Sequence, residues 1–347
     1  MTEKTVSPMP RVGDRLAEVL VRVSHLRRIE RKEGDGAFHI FKMTNASLQI
    51  GAVVWRDEVD FQNGDYVRVW GDVRSYRDGI QAVVGRWELV PRESVNGQDL
   101  VPRCPRPLDA MGVELEAAIS RVEDPWVRRL LGDMLLKDPY IARLYRLAPA
   151  AKTHHHPYLH GLLEHNLQVL ERALGLAGSL AVDRSLIAAG ALLHDIGKIE
   201  EYAFEGDSIE FTEVGNLIGH IALGYYLTRR AIERIEGFPS DLATGLLHLL
   251  LAHQGRLEWG PPVEPKTAEA FILHEADSLD AHLYQVTRTG LEFPGQRMGF
   301  SRSLGRVVLG NPHMPGAFPY DYARPVVAAP LLTDSGLEGS GEDVEKR

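Results

Sequence analysis

Between Val19 and Val90 apolar and polar residues alternate in short runs, VLVRVSHL, AFHIFKM, SLQIGAVVW, DYVRVWGDV and IQAVVGRWELV, parted by EGDG, TNA, QNGD and RDG. A period of two over runs this short predicts strands, and the Gly, Asn and Asp of the breaks supply the positive φ of tight turns. Five such strands predict a small barrel. From Pro91 to Pro107 the text changes to PRESVNGQDLVPRCPRP, rich in proline and without periodicity, which reads as a linker. From Leu108 to about Thr289 the apolar spacing turns helical, as in Leu159, Leu162, Leu163, Leu167 and Leu170. One hairpin, EYAFEGDSIEFT, interrupts it and turns at Gly206 and Asp207. Beyond Gly290 the chain becomes Pro- and Gly-rich, and TDSGLEGSGEDVEKR at the end is expected to be disordered.

These patterns predict a multidomain chain: an all-β barrel at residues 11–92, a Pro-rich linker at 93–110, an all-α helical domain at 111–290 and an extension at 291–347 with a disordered tail. At 347 residues, with 44% hydrophobic and 25% charged residues, the chain is long enough for two ordinary globular cores. Cys104 is the only cysteine, which excludes an intramolecular disulfide and a cysteine zinc cluster and suits a reducing compartment. No apolar run has the length of a signal peptide or a membrane span, so a cytoplasmic protein without membrane contact is expected. A net charge of −9 argues against coating nucleic acid by bulk electrostatics, but not against a local basic groove.

The barrel's order of features, VVW closing one strand, GDYVRVWGDV in the next and then YRDGIQAVV, resembles nucleic-acid-binding OB-folds. Trp55, Arg74, Tyr76 and Arg77 offer stacking surfaces and phosphate contacts. The competing reading has Trp55 and Trp70 filling the barrel and the arginines solvated.

The sharpest chemical signal is LLHDIGK. The run Leu186–Leu193 has no polar face, so its helix should be buried, and it ends by delivering His194 and Asp195 into the interior. Burying them unpaired is costly, so they need a hydrogen-bond network, an ion pair or a metal. His165 in HGLLEHNLQVL, His220 in NLIGHIALGYYL, His253 at the end of LLHLLLAH, and Asp277 and Asp280 in AEAFILHEADSLDA each fall on a different predicted helix or its end. One ligand per helix is how a helical bundle builds a metal centre.

That order, H, HD, H, H, D, resembles the HD-domain metal phosphohydrolases. The resemblance implies one divalent ion held by His165, His194, Asp195 and Asp277, and a second by His220 and His253 with Asp195 bridging. AAKTHHHPYLHGLLEH, ALLHDIGK, GNLIGHI and LLLAHQGRLEWGPPVEPKTAEAFILHEADSLDA, together with the OB-like front, resemble the YhaM-type 3′-to-5′ exoribonucleases from about residue 11 to 290. Gln254 stands where that family leads one to expect a second histidine, and His160 where a small residue is expected.

The resemblance implies hydrolysis of single-stranded RNA, with single-stranded DNA a further candidate, to nucleoside monophosphates by metal-activated water; homo-oligomerisation is left open. Two ions can activate a water and offset charge on phosphoryl oxygens. Mixed imidazole and carboxylate ligands favour Mn, Fe, Co, Ni or Zn over Mg, and the resemblance points to Mn. Asp195 and Lys198 are the expected catalytic residues, Lys198 as a phosphoryl-charge stabiliser or else a helix C-terminal cation. Asp280 is expected to orient a histidine ligand. Lys152, His155 and His156 are candidates for substrate contact or ligand support, and His248 and His274 for core packing or ligand support. Trp259, in EWGPP, either stacks a base or packs. Two other functions fit: an HD phosphohydrolase of small nucleotides or cyclic dinucleotides, and a non-catalytic RNA-binding protein with a structural metal.

Overall fold

The computed structural model describes residues 12–31, 35–46, 48–76, 79–292 and 298–309. The expected strands form as β1 Arg15–Glu30, β2 Ala37–Asn45, β3 Leu48–Val54, β4 Tyr66–Tyr76 and β5 Gly79–Val90. They close into a barrel in the order β1-β2-β3-β5-β4, every neighbouring pair antiparallel except β3 with β5. That is OB-fold topology. Alternation explains the closure: along β2, Ala37, His39, Phe41 and Met43 are buried while Phe38, Ile40 and Lys42 face outward. The interior is apolar, built from Val21, Val23, Met43, Val67, Val69 and their neighbours.

Neither Trp55 nor Trp70 belongs to it, whereas Trp87 packs against it, edge-on to Phe61 at 5.6 Å between ring centroids. Trp55 is 54% exposed, and Trp70 lies beneath the Arg86 guanidinium, 4.4 Å from the ring centroid. The reading that these two rings pack the barrel is therefore corrected: aliphatic side chains with Phe41, Phe61 and Met43 fill its narrow bore.

The proline-rich linker is not a loose tether. Short 3₁₀ turns at Arg92–Ser94 and Gly97–Leu100 lead into Val101, which is fully buried. Arg103 N donates to Ala46 O of the barrel (3.1 Å), and Cys104 N to Leu159 O of the helical domain (2.9 Å). Arg106, also buried, pairs with Glu114 at 2.5 Å. The segment lacks periodicity because both neighbours, rather than its own repeat, satisfy its backbone.

The helical domain runs α1 Leu108–Ser120, α2 Pro125–Gly132, α3 Pro139–Leu147, α4 Gly161–Ala177, α5 Arg184–Leu193 and the short α6 Lys198–Glu201. Strands β6 Tyr202–Ala203 and β7 Glu210–Phe211 form the expected hairpin. α7 Glu213–Ile218, α8 His220–Glu233, α9 Ser240–Ala252 and α10 Ala268–Glu292 follow. Asp183 caps α5 by accepting from Leu186 N (2.9 Å), and every residue from Ser185 to Leu193 is buried. α5 is the central rod, packed against α4, α9 and α10. The hairpin tip reaches the barrel, where Asp207 Oδ2 accepts from the Tyr66 hydroxyl (2.8 Å) and pairs with Arg22 (3.2 Å).

After α10 a hairpin of β8 Met298–Ser301 and β9 Arg306–Leu309, which the sequence pattern does not predict, packs on that helix. The expected disordered tail lies outside the described residues. Among the described residues no helix is long and apolar enough to cross a membrane.

Candidate metal centre

Each histidine of the centre is aimed by its own Nδ1. His165, in the second turn of α4, donates from Nδ1 to Asp280 Oδ2 (2.7 Å). His194, which ends α5, donates to Ala191 O (3.0 Å), and His253, which ends α9, to Leu250 O (2.7 Å). His220 opens α8 and donates both its backbone N–H (2.9 Å) and its Nδ1–H (3.0 Å) to Glu201 Oε1. Fixing Nδ1 as donor leaves all four Nε2 atoms as acceptors turned inward, the tautomer a metal requires.

Asp195 stands between them. Its Oδ2 lies 3.5 Å from His165 Nε2 and 3.4 Å from His194 Nε2, while its Oδ1 lies 3.5 Å from His220 Nε2 and 3.7 Å from His253 Nε2. Asp277 Oδ1 is 3.2 Å from His165 Nε2 and 3.9 Å from His194 Nε2. Two of the four groups able to hold an ion among the described residues are His165–His194–Asp277 and Asp195–His220–His253, the donor atoms of each within 4.8 Å of one another. Asp195 Oδ1 and His220 Nε2 are buried without a hydrogen-bond partner. Orphaned acceptors facing each other across a distance too long for hydrogen bonding fit a divalent cation between them.

Electrostatics agrees. Burial opposes a charge on His165, yet hydrogen bonds to Asp195, Asp277 and Asp280 raise its pKa well above the usual value. The three carboxylates thus make the inner edge of His165 a place that favours positive charge, which is what a bound cation supplies. His253 goes the other way: burial first, then the neighbouring His194, push it down to about 3. Asp195 is buried, but Lys198 and His194 outweigh that and hold its carboxyl well below the usual range. Lys198 Nζ sits 2.5 Å from Asp195 Oδ2, buried and already paired, rather than free at a helix end.

A second layer aims the first. Asp280 Oδ2 also accepts from His156 Nε2 (3.0 Å), and its Oδ1 meets Arg172 at 3.1 Å. His156 Nδ1 in turn reaches Glu164 Oε2 (3.0 Å), which accepts from the Tyr158 hydroxyl (2.6 Å). Burial works against a charged His156, but Asp280 and Glu164 prevail and raise its pKa. His156 has no exposed surface and so supports Asp280 instead of meeting substrate. His155 differs: its Nε2 is buried without a hydrogen-bond partner, and it groups with His165 and Asp195. Burial, then His165 and Lys198, push its pKa well below the usual value, so it is a neutral imidazole at the rim.

Sequence reading missed Glu164, Arg172 and Glu201. Glu164 looks like a solvated helix position in LLEH, and nothing local marks it as buried. Two glycines carry geometry. A Cβ on Gly197 would lie 2.0 Å from His220 O, so the HDIGK glycine lets α8 approach the turn that bears Asp195. A Cβ on Gly161 would lie 2.3 Å from His156 O, which draws the histidine triplet against α4.

Other candidates lie farther out. Trp259 is 53% exposed, with Arg256 5.2 Å from its ring centroid and His274 beside it at 6.0 Å. His274 donates to His253 O (2.9 Å), and His248 accepts from Lys266 N (3.0 Å). Gln254 places its amide 3.1 Å from His253 Nε2. His160, with φ of 70°, adopts the left-handed conformation that favours a small residue, and its Nδ1 donates to Arg146 O (2.7 Å). Lys152 pairs with Glu210. On the barrel, Trp55 stands 4.7 Å from Phe38 between ring centroids, Tyr76 is exposed, and Arg74 pairs loosely with Asp72 at 3.7 Å. Arg77 lies outside the described residues.

The chain matches the HD domain family over residues 162–282. It is similar to the 3′-5′ exoribonuclease YhaM of Bacillus subtilis strain 168, at 31% identity over 80% of this chain and 88% of the relative. It is also similar to the protein of the same name from Listeria innocua serovar 6a, at 31% identity over 71% of this chain and 79% of the relative. Among solved structures it is similar to the HD domain of the L. monocytogenes phosphodiesterase PgpH, at 18% identity over 42% of this chain and 74% of that one, with a TM-score of 0.28.

Proposed function

The chain belongs to the YhaM 3′-5′ exoribonuclease family, and on that premise we propose that it shortens single-stranded RNA from the 3′ end, hydrolysing phosphodiester bonds to nucleoside monophosphates. The observation that carries the reading is the division of Asp195, whose two oxygens face two different donor sets. His165, His194, Asp277 and Asp195 Oδ2 would hold one ion, and His220, His253 and Asp195 Oδ1 the other. With imidazole and carboxylate donors mixed, manganese is the first ion to supply, ahead of iron, cobalt, nickel or zinc. Bound there, two divalent ions supply Lewis acidity that activates water and offsets phosphoryl charge.

The chain's own residues do the rest. Lys198 fixes the Asp195 carboxylate and sets a positive charge beside the reacting phosphate. His155 presents a neutral imidazole to substrate, and Asp280, steadied by His156, keeps His165 aimed. Trp259 offers a ring at the rim, and Lys152 a cation. Residues 11–92 act as the RNA-binding barrel, with Trp55 and Tyr76 stacking bases and Arg74 and Arg77 meeting phosphates; 93–110 join it to the catalytic domain at 111–290, and 291–347 extend that domain. A cytoplasmic site of action suits an RNA nuclease whose one cysteine, Cys104, is buried and reduced.

The test is a time course of 5′-labelled single-stranded RNA with the purified chain and manganese, beside Asp195→Ala. A ladder shortening from the 3′ end, absent in the variant, is expected, with a rate loss of about a thousandfold or more, equivalent to ~4 kcal/mol of transition-state stabilisation. RNA left intact while small nucleotides are turned over would replace this reading with the small-nucleotide one.

A further inference from the structure

We propose that His155 is a further ligand of the first ion, the one held by His165, His194, Asp277 and Asp195 Oδ2, and that the substrate phosphate displaces it. Without RNA its imidazole fills the coordination position that a phosphoryl oxygen takes when RNA arrives. The inference rests on the exoribonuclease reading and states how the imidazole of His155 meets substrate.

The stretch THHHPY, residues 153–158, belongs to no helix or strand, yet its backbone is held on both sides of His155. Gln285 Nε2 on α10 donates to His154 O (2.8 Å). His156 O accepts from Ala150 N (3.2 Å) and from Tyr158 N (2.9 Å). The His156 ring is clamped between Glu164 and Asp280. These ties fix where the His155 backbone stands and leave its side-chain torsions free, since among the described residues no hydrogen bond holds either nitrogen of its ring.

The ring lies against the first ion site. Its centroid is 4.9 Å from that of His165, and its Nε2 is buried without a hydrogen-bond partner. One donor atom from each of His155, His165 and Asp195 lies within 4.8 Å of the others. His165 Nδ1 is already committed to Asp280, and Asp195 Oδ2 is the oxygen turned to His165, so an ion that all three share is the first one. Donor atoms about 2.1 Å from one ion stand no more than ~4.2 Å apart across it, so a contraction well short of an ångström brings the three together. His165, His194, Asp277 and Asp195 Oδ2 leave positions open on an octahedral ion. A buried nitrogen without a hydrogen-bond partner is met by a cation there.

How the imidazoles are held separates this one from the rest. His165, His194, His220 and His253 each sit on a helix or at its end, with Nδ1 tied to Asp280, Ala191 O, Glu201 or Leu250 O. Such ties orient a ligand before the ion arrives. His155 rides a loop and lacks one, so its nitrogen is the ligand most easily given up. The exchange balances: one phosphoryl oxygen enters, one imidazole nitrogen leaves, and no proton moves. An anionic oxygen replaces a neutral donor on a cation, which favours the bound substrate.

The experiment uses the full chain with His155→Ala and with His155→Phe, which keeps a ring but offers no donor. Manganese binding is followed by calorimetry, and cobalt binding by the visible absorption of the ion. In both variants one site should weaken by about tenfold or more, at least the loss that an outer partner of a ligand causes. The other site should hold. A loss confined to one site, with the Tm of the metal-free protein unchanged, rules out misfolding. Adenosine monophosphate added to the cobalt-loaded wild type should shift its spectrum as the imidazole leaves. At saturating metal the variants should bind that nucleotide as tightly as the wild type or more so, because no ligand has to depart.

Manganese affinity and cobalt spectrum unchanged in both variants would overturn the assignment. So would weaker nucleotide binding at saturating metal, which would make His155 a hydrogen-bond donor to phosphate. The titrations need no cleavage. A wild type that cuts no RNA would sink the exoribonuclease reading, while the metal affinities would still judge His155.

Discussion

The barrel and the helical domain solve opposite problems. The barrel keeps its interior cluster apolar and puts Trp55, Tyr76 and Arg74 outside it. The helical domain buries Glu164, Asp195 and Asp280 and half-buries Asp277 beside its apolar core, against the permanent cations Lys198 and Arg172. The imidazoles of His156 and His165 face the remaining negative charge, which raises the pKa of both. In the barrel, binding is separable from folding. In the helical domain, the site is part of what must fold.

That contrast breaks first, if it is wrong, at Asp280. Asp280→Asn leaves Arg172 and His156 without their shared anion, and breaking a buried pair costs about 3–5 kcal/mol. It should lower Tm by calorimetry and weaken manganese binding by about 10- to 100-fold in titration, since Asn cannot hold His165 as a carboxylate does. Full stability with lost metal affinity would show the site to be separable after all.

Gly197→Ala comes next. The new Cβ would meet His220 O at 2.0 Å, so the start of α8 must shift, and His220 with it. A displacement of ~1 Å costs about a hundredfold in rate. RNA turnover should fall by that order while circular dichroism keeps the helix content.

Trp55→Ala sharpens the other half. Stacking is worth about 1–3 kcal/mol per base, so affinity for single-stranded RNA should drop about tenfold with Tm and dinucleotide turnover unchanged. A fall in Tm would mean that the ring supports the barrel.

The smallest effect belongs to the seam. Burial raises the Asp207 carboxyl, but the Tyr66 hydroxyl, Arg22 and Arg92 hold its pKa below the usual range. Its stabilisation is thus complete above about pH 3.9 and is lost as the pH falls through the lowered value. Asp207→Asn should cost about 0.2–1 kcal/mol, a Tm drop of roughly 1–3 °C at neutral pH. The gap between variant and wild type should close in acid.

Much of this was legible because period and spacing are local. The five strands, the featureless helix before LLHD and the placing of one histidine per helix follow from residues near one another in the chain. What stayed hidden depends on distant neighbours. Glu164 is four residues from Gln168 on an ordinary-looking helix, and only the fold reveals His156 above it. HDIGK marks Lys198 as a charge-stabilising candidate, but only the fold shows it held 2.5 Å from Asp195. Trp55 and Trp70 could not be sorted from a pattern that records hydrophobicity without the bore of the barrel. The order of the proline-rich segment comes from Ala46 and Leu159, which no window around it contains.

The hairpin from Tyr202 to Phe211 begins one residue after Glu201, whose carboxylate holds His220, and ends at its far side in the Asp207 contact with Tyr66 and Arg22. A ten-residue connection of this kind makes the two halves poor candidates for cassette exchange. Grafting a foreign barrel without counterparts of Tyr66 and Arg22 would release the tip, and the looseness would travel down the stem to a ligand. Engineering a new RNA preference into this scaffold should therefore begin by resurfacing the native barrel, not by replacing it.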